Sequence, residues 1–192
     1  MYQHLIEQNR ITHNGQIHYV QFNNIVNLGT FFAASSWVSQ FINDFHKKIP
    51  QAELAEDAVK IGKALLAFRA GQYDEVIYQL NTVGIGNQDH ALRVKSLLLR
   101  TYFEMDSNGS LFKSECKSYR QYFKNNSLLK AVKREGRLNF LAILRKMAKT
   151  KDWQPLRMEI DATDVLSNRM WLLQKVMSTA EWEKEMDIRF GV

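Results

Sequence analysis

The segment between Ala64 and Leu80 constrains the fold of this chain more than any other feature. It completes an apolar stripe whose residues step by four, three, four and three: Leu54, Ala58, Ile61, Leu65 and Phe68. Residues three and four apart share one face of an α-helix, so the stripe predicts an amphipathic helix. Gly71 ends this helix, and a second amphipathic stripe begins directly afterwards. Such a helix pair cannot bury its apolar face alone and therefore predicts neighbouring pairs.

The same periodicity recurs along the chain and predicts an all-α fold with a single domain over residues 1–192. We expect helix pairs over 17–49, 53–83, 88–125 and 128–166, followed by a capping helix over 167–190. The chain has only 2 prolines and 9 glycines, which leaves little material for β-turns. The predicted architecture is a right-handed stack of antiparallel helix pairs. Residues 1–16 are predicted to be the tail of a truncated preceding element, so we expect the chain to be cut from a longer protein.

The helix pair at 64–80 resembles the tetratricopeptide repeat. The shared features are a small residue, an aromatic residue, a turn glycine, an aromatic residue opening the second helix and a late leucine: Ala64, Phe68, Gly71, Tyr73 and Leu80. Val76 departs from the pattern, since the family usually keeps a small residue there. The resemblance implies an α-α superhelix in which the first helices of the pairs line a concave groove, where protein or peptide partners bind.

A second resemblance covers nearly the whole chain. Residues 22–26, 40–42, 96–104, 119–123 and 171–175 are similar to the C-terminal region of larger, uncharacterised bacterial helical-repeat proteins. No activity is attached to that family. The resemblance therefore implies a scaffold and no particular chemistry.

The composition excludes several classes of protein. The single cysteine, Cys116, excludes an internal disulfide framework, and its place on an apolar stripe predicts a buried, unreactive thiol. No apolar run approaches the roughly 20 residues of a membrane span. The first 30 residues lack the basic start and apolar core of a signal peptide. We therefore expect a cytoplasmic protein without a membrane-bound segment.

No catalytic or metal-binding constellation is visible. The histidines are scattered, and His13 and His18 are five residues apart across a predicted turn, away from any cysteine. Two carboxylate clusters are explained by solvated helix faces or ion pairs: Glu104 with Asp106, and Glu159 with Asp161 and Asp164. The chain also lacks a Gly-rich phosphate loop and a nucleophile elbow. We predict that it is not an enzyme and that it needs no cofactor or metal.

Positive charge is concentrated in one part of the chain. The net charge is +6, but residues 113–157 hold 13 Lys or Arg against 3 Asp or Glu, a local +10. Such asymmetry indicates an acidic partner or a phosphate backbone, and solvated helix faces are the simpler explanation.

The tetratricopeptide resemblance implies a concave groove that combines aromatic residues with recurring basic ones. Its candidate members are Phe68, Arg69, Arg93, Arg100, Phe103, Arg145 and Lys149. Arginine is suited to bidentate binding of carboxylates, so the predicted partner is an acidic protein or peptide. In the alternative interpretation, the aromatic residues belong to the core and the arginines cover the shoulders of the helices.

The sequence also allows two other kinds of partner. Nucleic acid is the rival ligand, bound by the basic segment 113–157 with Tyr119, Tyr122 and Phe123 nearby. Homo-oligomerisation through the N-terminal end is a further interpretation, because a truncated array would expose apolar surface there.

Overall fold

The computed structural model of the protein describes residues 11–190, and these residues are predominantly helical. They contain ten α-helices and a 3₁₀ turn at His46–Lys48. The helices are α1 (Tyr19–Phe32), α2 (Ser35–Phe45), α3 (Ala52–Arg69), α4 (Tyr73–Asn81), α5 (Gln88–Asp106), α6 (Ser110–Asn125), α7 (Ala131–Met147), α8 (Gln154–Ala162), α9 (Arg169–Val176) and α10 (Thr179–Phe190). The described part of the chain has no β-strand, and only an isolated bridge joins His13 to Gln16. The all-α prediction is confirmed.

The chain divides into two compact units, and the boundary falls between Thr101 and Tyr102 inside α5. Unit 1 contains α1 to α4 and most of α5, and unit 2 contains the rest. The predicted tail over 1–16 falls mostly on residues 1–10, which lie outside the described residues. The single repeat domain over 1–192 stays a prediction.

Unit 1 contains two pairs of consecutive helices, α1 with α2 and α3 with α4, and the N-terminal part of α5. Helix α1 packs against both α2 and α3, α2 packs against α3, and α3 packs against α4. Gly62 allows the close approach of α3, because a Cβ atom there would lie 2.8 Å from Cδ1 of Ile42 and 3.5 Å from Cγ1 of Val26. These contacts join the two pairs through one continuous apolar core.

The turn between α3 and α4 has the geometry that the sequence indicates. Gly71 has a φ of +71°, a left-handed conformation that favours glycine. The backbone N–H of Gly71 donates to the carbonyl of Phe68, and that of Gln72 donates to the carbonyl of Ala67. This pattern is a Schellman motif, which satisfies the last carbonyls of α3 and turns the chain into α4.

Helix α5 also contacts α1 within unit 1. The ring of Tyr19 meets that of His90 edge to face at 5.2 Å, and the Tyr19 hydroxyl accepts a 3.1 Å hydrogen bond from the Asn87 amide. One turn later, Arg93 donates to the side chain of Asn24. The start of α5 is therefore attached to α1 by ring packing and by two side-chain hydrogen bonds.

Unit 2 has an aromatic core. Phe103, at the end of α5, lies between 5.6 and 6.1 Å from the rings of Phe112, Trp153 and Trp171. Helices α6 and α7 pack together, α7 packs against α8, and α9 packs against both α8 and α10. Trp171 also meets Phe140 at 6.2 Å, so one cluster of rings connects four of these helices.

The capping helix predicted over 167–190 is wrong as a single element, because the structure has two helices there. Met177 ends α9 in an extended conformation, and Ser178 begins α10 as its N-cap. The Ser178 hydroxyl accepts from the backbone N–H of Glu181, while the Glu181 carboxylate accepts from the N–H of Ser178. This reciprocal arrangement is a capping box, which stabilises the start of a new helix.

No helix within residues 11–190 combines the length and the apolar character needed to cross a membrane.

Candidate functional site

The predicted groove residues of unit 1 include one pair that the structure brings together. The guanidinium carbon of Arg100 lies 4.9 Å from the centre of the Phe68 ring. Arg100 is only 5 % exposed, although its side chain carries a full charge. A cation over an aromatic face is attracted by the ring quadrupole, and the attraction is stronger when water is excluded. Arg100 therefore stabilises the packing of α5 on α3 and presents little surface to a partner.

The other two arginines of this set bond to α1. Arg93 donates to the carboxylate of Asp89 at 2.6 Å and to the side-chain oxygen of Asn24 at 2.8 Å. Arg69 donates to the carbonyl of Ala33 at 2.5 Å. Ala33 follows the last residue of α1, where backbone carbonyls lack helical partners, so the guanidinium satisfies one of them.

In unit 2 the predicted groove residues divide into one buried and two exposed side chains. Phe103 is 5 % exposed and belongs to the aromatic core. Arg145 in α7 and Lys149 just beyond it are exposed, and neither side chain has an ion pair or hydrogen bond within residues 11–190. Arg145 and Lys149 therefore differ from Arg69 and Arg93, whose side chains bond to oxygen atoms of the protein.

Cys116 lies on the buried face of α6, as the sequence predicts. Burial raises the pKa of its thiol from 9.0 to about 11, and the positive charge of nearby Arg145 only partly offsets that effect. Because the thiolate is the reactive form, this cysteine is unreactive near neutral pH.

A basic surface on α6 is missing from the predicted groove. Four cations share one face of this helix, and we call the surface the basic α6 face: Lys113, Lys117, Arg120 and Lys124. At 100° per residue they fall within an arc of about 60°. All four are exposed, and none has an ion pair or a side-chain hydrogen bond within the described part of the chain. The spacing of four, three and four is visible in the sequence and could have predicted this surface.

The basic α6 face adjoins an open depression of about 370 Å³. The residues that line it are Lys117, Arg120, Gln121, Lys124 and Asn125. Glu115 is the only acidic residue of α6, and its side chain is half-buried, so no carboxylate is exposed on this helix. The depression therefore combines positive charge with amide groups that donate and accept hydrogen bonds.

Four carboxylates of the two acidic clusters form ion pairs or hydrogen bonds within unit 2. Glu104 forms an ion pair with Lys175 at 2.6 Å, and Asp106 accepts from the backbone N–H of Asn108 at the following turn. Glu159 pairs with Lys146 at 2.7 Å, and Asp161 pairs with Arg157. Within residues 11–190, no group of three or more His, Cys, Asp or Glu side chains is placed to hold a metal ion.

One histidine is fully buried in unit 1. His90 has no exposed surface, and its Nδ1 atom lies 3.7 Å from a carboxylate oxygen of Asp57. Burial lowers the pKa of His90 below its ordinary value of 6.5, although the negative charges of Asp57 and Asp89 act in the opposite direction. His90 is therefore neutral at pH 7 and belongs to the core.

Two of the three aromatic residues beside the basic segment are not available as stacking platforms. Tyr119 and Phe123 have no exposed surface, and Tyr122 is half-buried against Phe123. Proteins that bind single strands without sequence preference stack successive bases on exposed aromatic rings. Of these three rings, only Tyr122 therefore has exposed surface on which a base could stack.

The chain matches no family model, no curated protein and no solved structure.

Proposed function

We propose that this protein is a non-catalytic helical-repeat module that binds an acidic protein or peptide segment. One observation carries the proposal. The exposed cations of the basic segment include several that have no ion pair within residues 11–190: Lys113, Lys117, Arg120, Lys124, Lys130, Lys133, Arg145 and Lys149. Exposed cations without an ion pair attract a partner of the opposite charge.

The proposed architecture is a tetratricopeptide-like right-handed stack of antiparallel helix pairs. Two features of unit 1 support it. The first helix of one pair, α1, packs against the first helix of the next, α3, and α2 also packs against α3. The turn between α3 and α4 is closed by Gly71 in the segment that resembles the repeat. In such arrays each pair contacts only its neighbours, and partners bind an extended surface.

On this proposal, only two residues of the predicted groove contact the partner. Arg145 and Lys149 supply partner contacts, because their side chains are exposed and unpaired within the described residues. Arg69, Arg93 and Arg100 hold helices together instead. A cytoplasmic location and homo-oligomerisation through the N-terminal end stay predictions.

Binding of poly-glutamate by the purified chain tests the proposed function. We expect fluorescence anisotropy to detect binding at low salt, and we expect the affinity to fall as NaCl rises from about 50 to about 300 mM, because exposed charge pairs are screened. A duplex and a single-stranded oligonucleotide of equal charge serve as competitors. Absence of poly-glutamate binding contradicts the proposal, and so does tighter binding of either oligonucleotide with a steep linear dependence of log K on log salt.

A further inference from the structure

We propose that the basic α6 face is the docking surface and that its occupant is an acidic helix of a partner protein. This inference rests on the proposed function and names the surface and the shape of the partner. It also moves the main contact away from the predicted groove, to the second helix of its pair.

The charge of the basic α6 face is complementary to that of an acidic partner. Lys113, Lys117, Arg120 and Lys124 carry four positive charges along about 16 Å of helix, at a rise of about 1.5 Å per residue. No exposed carboxylate on α6 opposes them. A surface of one sign attracts a partner of the opposite sign and disfavours partners of the same sign.

The spacing of the four cations matches that of side chains on a partner helix. Successive cations are four, three and four residues apart, so their intervals along the helix are about 6, 4.5 and 6 Å. A partner helix with carboxylates at i, i+4, i+7 and i+11 has the same intervals. Because the series reads the same in both directions, a parallel and an antiparallel partner fit equally well.

An extended partner fits less well. Side chains on one face of a strand repeat at about 6.8 Å, so four of them span about 20 Å. The cations span about 16 Å, which leaves the last carboxylate beyond its cation unless the lysine side chains rearrange. A helical partner therefore matches the row more closely.

Polar amide side chains lie beside the cations. Gln121 and Asn125 line the open depression together with Lys117, Arg120 and Lys124. Amide groups donate hydrogen bonds to carboxylates, so a glutamate side chain that enters the depression meets both charge and hydrogen-bond donors. The absence of exposed aromatic rings on this face of α6 favours a carboxylate partner over a single-stranded nucleic acid.

The test compares two peptides of identical composition. One places glutamates at i, i+4, i+7 and i+11 of an alanine-rich helix, and the other scrambles them around the helix. We expect the first peptide to bind more tightly than the scrambled one in fluorescence anisotropy. Equal binding of both peptides overturns the helical partner, and tighter binding of duplex DNA overturns the acidic partner.

Charge reversal locates the surface. The double variant Lys117→Glu/Arg120→Glu should weaken binding of the patterned peptide at least about tenfold, since two exposed attractions become repulsions. Lys47→Glu/Lys63→Glu is the matched control, because it makes the same charge change at exposed positions of unit 1. All four substituted side chains are exposed, and circular dichroism with thermal melts confirms that the variants are folded.

The third variant, Arg145→Glu/Lys149→Glu, separates this inference from the proposed function. If it abolishes binding of poly-glutamate while the α6 variant binds normally, the docking surface is wrong and the proposed function stands. If no acidic probe binds the unmodified chain, both proposals fail. The inference holds when the α6 variant alone loses at least about tenfold in affinity.

Discussion

The buried guanidinium of Arg100 lies over the ring of Phe68, with 4.9 Å between the guanidinium carbon and the ring centre. The two residues are members of the predicted groove, and the structure uses them to pack α5 against α3. An arginine buried in this way contributes through its aliphatic stem as well as through its charge. Arg100 therefore contributes to the stability of unit 1.

Replacing Arg100 tests this role. Arg100→Glu should lower the free energy of unfolding by at least about 3 kcal/mol, because an uncompensated carboxylate would be buried against the negative face of a ring. Arg100→Lys keeps the charge and should destabilise the protein less. Urea unfolding followed by circular dichroism measures both variants. An unchanged midpoint for Arg100→Glu contradicts the packing of Arg100 on the Phe68 ring.

His90 should make the stability of the protein depend on pH. Its folded-state pKa lies below the ordinary value of 6.5, so the unfolded chain takes up the proton first as the pH falls. The contribution of His90 to the free energy of unfolding is therefore fully present well above pH 6.5 and is lost as the pH falls below that value. The charged groups that face His90 are Asp57, Asp89 and Arg93, and the ring of Tyr19 lies beside it.

His90→Phe isolates this contribution, because phenylalanine keeps a ring beside Tyr19 and takes up no proton. We expect urea unfolding of the unmodified chain to give a lower free energy at pH 5 than at pH 7.5, and we expect this difference to shrink in the variant. The same pH difference in both proteins would exclude His90 as the source.

The close approach of α3 to α1 and α2 depends on Gly62. Gly62→Val should lower the free energy of unfolding by about 1 to 3 kcal/mol, because a Cβ atom at this position lies 2.8 Å from Cδ1 of Ile42. Gly86→Ala is the control, since an added Cβ there meets no atom within 4 Å. Thermal melts compare the two variants. Equal melting temperatures would contradict the packing of α3.

Cys116 should react slowly with thiol reagents in the folded protein. Its pKa of about 11 leaves little thiolate at pH 8, and its side chain is 8 % exposed. We expect 5,5′-dithiobis(2-nitrobenzoate) to label the urea-unfolded chain at least about tenfold faster than the native chain, because unfolding exposes the thiol and restores its ordinary pKa. Equal rates would place Cys116 on the surface.

Helical periodicity was sufficient to predict most of the helices, but not the division between α9 and α10. The predicted pair over 88–125 coincides with the start of α5 and the end of α6, because both ends are marked by turn residues. The break at Met177 was missed, although the Ser178 and Glu181 spacing of a capping box marks the start of α10. A local hydrogen-bond pattern here outweighed a continuous apolar stripe.

The positions of the arginine side chains could not be predicted in the same way. Arg69 and Arg93 reach oxygen atoms 36 and 69 residues away in the sequence, which only the folded chain brings near. A single residue changes the direction of a side chain on a helix by about 100°, so a periodic pattern does not decide between a groove and a helix contact. The basic α6 face was predictable, since all its members belong to one helix.

Lysine acetylation footprinting tests the central claim of this account most directly. The chain is acetylated with and without the patterned acidic peptide, and mass spectrometry measures the reactivity of each lysine. The account predicts that Lys113, Lys117 and Lys124 lose reactivity on binding, while Lys47 and Lys63 keep theirs. Protection centred on Lys149, or equal protection of all lysines, would contradict a docking surface on the basic α6 face.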